Sequence, residues 1–252
     1  MITAGEIYDA IDSFAPFDTA MSFDNVGLLI GSREQTSAQV LLALDVTADL
    51  IREAQEKGVK IIVTHHPVIF SPLKDIPADS IQYRLISAGI TVISAHTNLD
   101  IAENGVNDTL AEQLGVISEK GTDEDCFLFG ELEREITAEE FACRIADRLG
   151  CAGLRYTRKN GSLKKVGIAC GAGGSSVFKA NELRADAFVT GEIKHHEILF
   201  AREHNIAVFD IGHFRSEDMI IEKLAERLSK LFPSTVFNKA VYDTEELFYI
   251  GK

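Results

Sequence analysis

The sequence predicts an α/β protein of two similar domains, each a mostly parallel or mixed sheet covered by helices. Three observations predict it. Short β-branched apolar runs alternate with amphipathic stretches between residues 40 and 96, in the order strand, helix, strand, helix, strand. The two halves read as a diverged repeat: Val40-Leu41-Leu42-Ala43-Leu44-Asp45 parallels Val166-Gly167-Ile168-Ala169-Cys170, and Ile61-Ile62-Val63-Thr64 parallels Ala187-Phe188-Val189-Thr190. Histidines and carboxylates stand just past the predicted strand ends, where parallel sheets gather ligands.

The elements follow in order. Thr3 and Glu6 have capping-box spacing, and Ile7, Ile11 and Phe14 continue at helical intervals, so the chain opens with a short amphipathic helix. Asp24-Asn25-Val26-Gly27-Leu28 reads as a turn entering a strand that ends at Ile30. The apolar run from Val40 is the next strand. Thr47 caps a helix that Gly58 stops, and Val59 to Val63 forms a buried strand that ends in Thr64-His65-His66-Pro67. Pro67 pushes His66 away from helical dihedrals, so the histidine pair projects from a constrained loop. Asp79 is a candidate cap for a helix closing at Gly89, and strand 90–95 leads into His96-Thr97-Asn98-Leu99-Asp100. A helix from Val106 to Leu114 closes at Gly115.

The polar stretch 118–125 reads as a domain boundary. The domains expected are residues 1–124, completed by the C-terminal segment 235–252, and residues 125–234. Thr137 and Glu140 form a second capping box. Strands 153–157 and 165–170 flank Lys159-Asn160-Gly161, a hairpin signal. Gly171-Ala172-Gly173-Gly174-Ser175-Ser176 precedes a helix; it is either an anion cradle or a plain tight turn, and it lacks the Walker lysine. Strand 187–190 leads into Gly191-Glu192-Ile193-Lys194-His195-His196-Glu197, where only one of the two histidines can point inward; His196 is the choice, and His195 the solvated one. Strand 206–210 leads into Gly212-His213-Phe214-Arg215-Ser216-Glu217. His204 reads as a surface residue, and Leu247-Phe248-Tyr249-Ile250 as a last strand returning to a sheet.

With 46% hydrophobic and 25% charged residues over 252 positions, the composition is that of an ordinary globular protein. No apolar run approaches the roughly 20 residues that span a bilayer, which excludes a helical membrane anchor within the sequence. The N-terminus has no basic segment before an apolar core, so a cytoplasmic location is expected. A net charge of −14 opposes sequence-independent attraction to phosphate backbones, and nucleic acid is not an expected partner. Cys126, Cys143, Cys151 and Cys170 lack Cys-x-x-Cys spacing and read as reduced, mostly buried thiols.

On its own, a His-His pair is most simply two satisfied loop histidines. Its company changes the reading. Asp45, His65, His66, His96 and Asp100 all follow strand ends, and His96-x-x-x-Asp100 is echoed by His213-x-x-x-Glu217. A spacing of four places two side chains on one helical face about one turn apart. Imidazoles and carboxylates together suit zinc, manganese or iron(II). Adjacent histidines, a distant aspartate and a histidine with a glutamate are too many for one tetrahedral ion with an open position; two ions roughly 3.5 to 4 Å apart, sharing a carboxylate, fit better.

The motifs Asp24-Asn25-Val26-Gly27-Leu28, Thr64-His65-His66-Pro67, His96-Thr97-Asn98-Leu99-Asp100, Thr190-Gly191-Glu192 and Gly212-His213-x-x-Ser216-Glu217, in that order, resemble the GTP cyclohydrolase 1 type 2 homologues, also called Nif-three-like proteins. The resemblance covers most of the chain and implies the short form, without the domain that longer members insert. It implies two similar α/β domains, two divalent metal ions per chain and a toroidal homohexamer. Carried over by motif, the metal ligands are His65, His66, Asp100, His213 and Glu217, with Glu217 bridging. His96 and Glu192 are then the candidates for proton transfer, and Asn25, Asp45, Asn98 and His196 for substrate or outer contacts. The family name implies opening of the purine ring of GTP by metal-activated water. A metal-dependent phosphoesterase and a non-catalytic, partner-binding ring are the alternatives.

Overall fold

The computed structural model describes residues 1–242, so the strand expected over Leu247 to Ile250 lies outside the described residues. The chain folds as two compact units: Met1–Ala102, which the chain rejoins from Ile220, and Glu103–Met219.

In the first unit, β1 (Ile2–Thr3) runs directly into α1 (Ala4–Phe14). Both bonds of the predicted capping box form: the Glu6 amide donates to Thr3 Oγ1 at 3.2 Å, and the Thr3 amide to Glu6 Oε2 at 2.8 Å. There follow β2 (Gly27–Ile30), β3 (Thr36–Ser37), β4 (Gln39–Ala43), α2 (Ala48–Glu56), β5 (Ile61–Thr64), α3 (Ile81–Ala88), β6 (Thr91–Ser94) and the five-residue α4 (Thr97–Ile101). Thr47 caps α2 as expected. The cap of α3 is Ser80, one residue beyond Asp79, with its hydroxyl accepting from the Tyr83 amide.

The second unit contains α5 (Val106–Leu114), β7 (Val116–Ile117), β8 (Leu128–Ile136), α6 (Ala138–Leu149), β9 (Arg155–Tyr156), β10 (Leu163–Ala169), α7 (Val177–Glu182), β11 (Ala187–Thr190), α8 (His195–Glu203), β12 (Ala207–Asp210) and α9 (His213–Glu217). The chain then returns through α10 (Met219–Leu231) to β13 (Val236–Lys239), which adds to the first unit's sheet parallel to β4. Because α5 packs with β7, β8 and α6, the units divide at Ala102 and Glu103, before the polar stretch that composition alone marks as the boundary.

The first sheet has the order β13-β4-β5-β6-β2, parallel except for β2. One face, with Leu41, Ala43, Ile62 and Val92, packs on Leu50, Ile51 and Ala54 of α2 and Leu85 of α3. The alternate residues Val40, Leu42, Ile61, Val63 and Ile93 are buried as well; α1 packs against β6, and the Arg227 guanidinium of α10 lies 3.8 Å over the Phe14 ring of α1. Burial on both faces explains why these strands read as continuous apolar runs. The second sheet has the order β7-β8-β10-β11-β12-β9, with β10, β11 and β12 mutually parallel and the other pairings antiparallel. Leu110, Phe141 and Ile145 cover one face; Val177, Ala180 and Ala201 cover the other.

Two expectations are corrected. The segment around Asn160-Gly161 does not close a hairpin onto β10: β9 pairs with β12, Phe209 opposite Tyr156. The turn is held toward that edge, since the Asn160 amide donates to Asn205 Oδ1 at 2.8 Å and Asn205 Nδ2 returns a bond to the Asn160 carbonyl at 3.2 Å. The cysteines are free, but Cys143 is exposed and the other three only partly covered.

The internal repeat is visible in the registers. Val40 pairs with Ile61 and Ile61 with Thr91, as Val166 pairs with Ala187 and Ala187 with Ala207. Thr64 opposes Ser94 at the end of one set, and Thr190 opposes Asp210 at the end of the other. Two residues past Ser94 is His96, whereas two past Asp210 is Gly212, so the two His-x-x-x-carboxylate motifs are one residue out of structural register. Asp100 corresponds in position to Ser216.

Candidate metal centre

In the first unit the donors are set by the ends of β5 and β6. The β ladder continues past β5, with the His65 amide on the Ala43 carbonyl at 3.1 Å and the His66 amide on the Leu44 carbonyl at 2.9 Å. Thr64 Oγ1 donates to the His66 carbonyl at 2.9 Å and closes the turn before Pro67. The rings are then oriented one by one. His65, fully buried, places Nδ1 2.9 Å from the Ala95 carbonyl; since a carbonyl only accepts, Nδ1 carries the proton and Nε2 keeps its lone pair. His66 Nδ1 lies 2.9 Å from Asp45 Oδ1, and His96 Nδ1 lies 3.0 Å from both carboxylate oxygens of Asp24. One ring nitrogen from each of these histidines falls within 4.8 Å of the others, a group able to hold a metal ion. Asp100, on α4, brings Oδ1 to 3.6 Å from His65 Nε2.

In the second unit, Gly212 with φ 85° turns the chain from β12 into α9. His213 Nδ1 lies 2.7 Å from Glu192 Oε1, and its Nε2 lies 3.2 Å from Oε2 of the buried Glu217 one turn on. With Nδ1–H directed to Glu192, the Nε2 lone pair faces a carboxylate oxygen, and either a second ring proton or a metal ion satisfies both atoms. Gly171 (φ 56°) approaches this pair closely: a Cβ there would stand 2.3 Å from Glu217 Oε1 and 3.2 Å from His213 Nε2. The glycine-rich loop thus makes room for the pair. Its amide at Gly171 donates to Ser216 Oγ at 2.9 Å, and Ser216 Oγ donates to the His213 carbonyl at 2.7 Å. The helix after the loop, α7, has six residues and no side-chain cap.

The donor sets fit a divalent metal. His65, His66, His96 and His213 are each held at Nδ1 by an oxygen acceptor, the arrangement that orients an imidazole and places the Nδ1 proton.

The Duf34/NIF3 (NGG1p interacting factor 3) family profile matches residues 2–246. The chain belongs to this family. A Clostridium perfringens (strain 13 / Type A) relative named GTP cyclohydrolase 1 type 2 homolog is 37% identical over 243 residues, covering 92% of this chain and 93% of its own length. The solved structure of the Staphylococcus aureus hypothetical protein SA1388 superposes with a TM-score of 0.90 at 29% identity, covering 99% of each chain. A Staphylococcus epidermidis relative of the same name, 27% identical and covering 89% of this chain and 92% of itself, aligns over 339 positions, more than the 252 residues of this Duf34/NIF3 member. Among the described residues, no helix is long and apolar enough to cross a membrane.

Within this Duf34/NIF3 chain the other candidates take varied places. Asp45 orients His66, and Glu192, the other proton-transfer candidate, orients His213. Asn25 Nδ2 donates to the Ile69 carbonyl at 2.5 Å and anchors the loop after the histidine pair. Asn98 is fully buried, accepting from the His96 amide and donating to the Ala15 carbonyl, so it is a clasp rather than a substrate contact. His196 is exposed like His195, its Nε2 4.0 Å from Glu197, and neither points inward. Sequence reasoning missed Asp24 itself. Its buried side chain accepts from His96, from the Thr97 amide at 3.0 Å and from Thr97 Oγ1 at 2.6 Å. Burial alone would raise its pKa, but the bonds from His96 and Thr97 outweigh it and hold the carboxyl well below the usual carboxylate range. The signal was present in the Asp24-Asn25 motif, read as a turn and as part of the family pattern, with Asn25 alone singled out.

Proposed function

We propose that this Duf34/NIF3 member is a divalent-metal-dependent hydrolase of a small molecule, with GTP the first substrate to test. The observation that supports it is the shared orientation of the site histidines, each engaged through Nδ1 by an oxygen acceptor, with His213 Nε2 facing Glu217. Two ions per chain, zinc, manganese or iron(II), are proposed, and His65, His66, Asp100, His213 and Glu217 are the residues that would hold them. When bound, such ions supply Lewis acidity and activate water. His96, held by Asp24, offers Nε2 as the proton-transfer atom. Asp45 and Glu192 hold their histidines in the tautomer with Nε2 available. The homohexamer implied by the family belongs to the same proposal and is read by sedimentation.

The test is the metal content per purified chain for the parent, His65→Ala and Glu217→Ala, followed by GTP turnover read as loss of the guanine chromophore. About two ions in the parent, marked loss in both variants and chromophore loss that depends on metal are expected. Phosphate release with the chromophore intact would instead identify a phosphoesterase. Absence of stoichiometric metal after reconstitution with zinc, manganese and iron(II) would sink the hydrolase reading.

A further inference from the structure

Two phenylalanines stand in solvent beside the imidazole cluster of the first unit. Phe23 is 59% exposed and Phe70 50% exposed, while Phe127, Phe141, Phe188 and Phe209 of the same chain are buried. The ring centroids of the two lie 6.3 Å apart with a 49° tilt, and the Phe70 ring meets His96 edge-on at 6.4 Å.

Their positions are fixed by the residues next to them. Phe23 precedes Asp24, whose carboxylate holds His96 and Thr97; Thr97 Oγ1 in turn accepts from the Met21 amide at 2.9 Å, securing the chain just ahead of Phe23. Phe70 follows Ile69, whose carbonyl accepts from Asn25, and the Val68 carbonyl is held by Gln82 Nε2 at 2.6 Å. The Asp24-Asn25 dipeptide therefore ties both rings and His96 into one hydrogen-bonded unit. An exposed aromatic pair held rigidly against polar, metal-capable groups has the make-up of a ligand site, which combines apolar surface with a few placed polar atoms.

We propose that Phe23 and Phe70 form a stacking platform that seats a planar purine-type ring beside His96. The inference rests on the reading that the imidazole cluster is the active site, and it names the substrate class. The two rings already touch in the tilted geometry aromatic pairs favour, so there is no slot between them, and the ligand ring lies on the outer face of the pair.

The experiment compares guanosine 5′-monophosphate with ribose 5-phosphate, the same sugar phosphate without the base, by calorimetric titration of the purified full chain, with metal content measured on the same sample. The parent is expected to bind the nucleotide roughly ten-fold or more tightly than the sugar phosphate. Phe23→Ala and Phe70→Ala should each remove most of that preference, Phe70→Tyr should keep it, and saturation transfer to the guanine H8 proton should fade in Phe70→Ala. Since both side chains are exposed, the variants should melt with the parent. Equal binding of the two probes by the parent overturns the platform, as does a preference that survives both alanine variants. A change in assembly mass on substitution also overturns it, because the pair would then be a contact between copies. Stoichiometric metal without base preference removes the platform and leaves the hydrolase reading standing; base preference without metal does the reverse.

Discussion

Asp24 and His96, 72 residues apart in sequence, meet with both carboxylate oxygens 3.0 Å from His96 Nδ1. This one contact fixes a tautomer, joins the β2 approach to the end of β6, and leaves a buried negative charge that only its partners make tolerable. Asp24→Asn retains one acceptor oxygen but loses the charge. A loss of about 1.5–3 kcal/mol of stability is expected, the range for hydrogen bonds to a charged group, read from urea unfolding. A change below a few tenths of a kcal/mol would mean the contact is incidental.

Acid should destabilise the protein through Asp24 and Asp186. Burial alone would raise the Asp186 pKa, but Lys159 and the Lys164 and Lys165 amides lower it overall. Both carboxyls have folded-state pKa values below their unfolded values, so their contribution is complete above the unfolded pKa of about 3.9 and is lost as pH falls through the folded values. Urea midpoints should be level from neutral pH to about 5 and then drop. Asp186→Asn should flatten that acid limb; an unchanged slope would clear Asp186 of the role.

Gly171 and Gly150 separate backbone strain from crowding. Both have positive φ, 56° and 60°, but a Cβ at Gly150 meets open space whereas one at Gly171 meets Glu217. Gly150→Ala should cost about 1 to 2 kcal/mol from the left-handed backbone alone. Gly171→Ala should cost more, and should also lower bound metal in the loaded protein. Equal effects of the two substitutions on stability and metal content would refute the crowding argument.

Glu53 anchors the returning chain. Its buried carboxylate pairs with Lys57 Nζ at 2.5 Å and accepts from the Val241 and Tyr242 amides at 2.9 and 3.3 Å. Glu53→Gln should cost about 1 to 3 kcal/mol and speed hydrogen exchange at those two amides. Exchange unchanged at both would show that β13 alone secures the segment.

Much of the fold was legible because its signals are local. The capping boxes at Thr3 with Glu6 and Thr137 with Glu140, and the left-handed glycine stops at Gly89 and Gly115, act within one helical turn and appear as read. The apolar runs at β4, β5 and β11 become buried strands for the same reason: every alternate residue faces a covered side. Asn160-Gly161 misled because a hairpin signal sets only a turn, while the partner strand was chosen by Asn205, 45 residues away. His196 misled because its helix places it in solvent, an orientation set by how α8 packs.

The sequence by itself determined the α/β order, the family and which histidines follow strand ends, since these depend on residue type and spacing along the chain. Tertiary structure alone decided what each ring nitrogen faces. Asp24 was assigned to His96, Asp45 to His66, Glu192 to His213 and a backbone carbonyl to His65, and Gly171 was brought against Glu217. Those partners lie about 20 to 70 residues apart, and a hydrogen bond, effective only within about 3 Å, is specified by the packing that closes that distance.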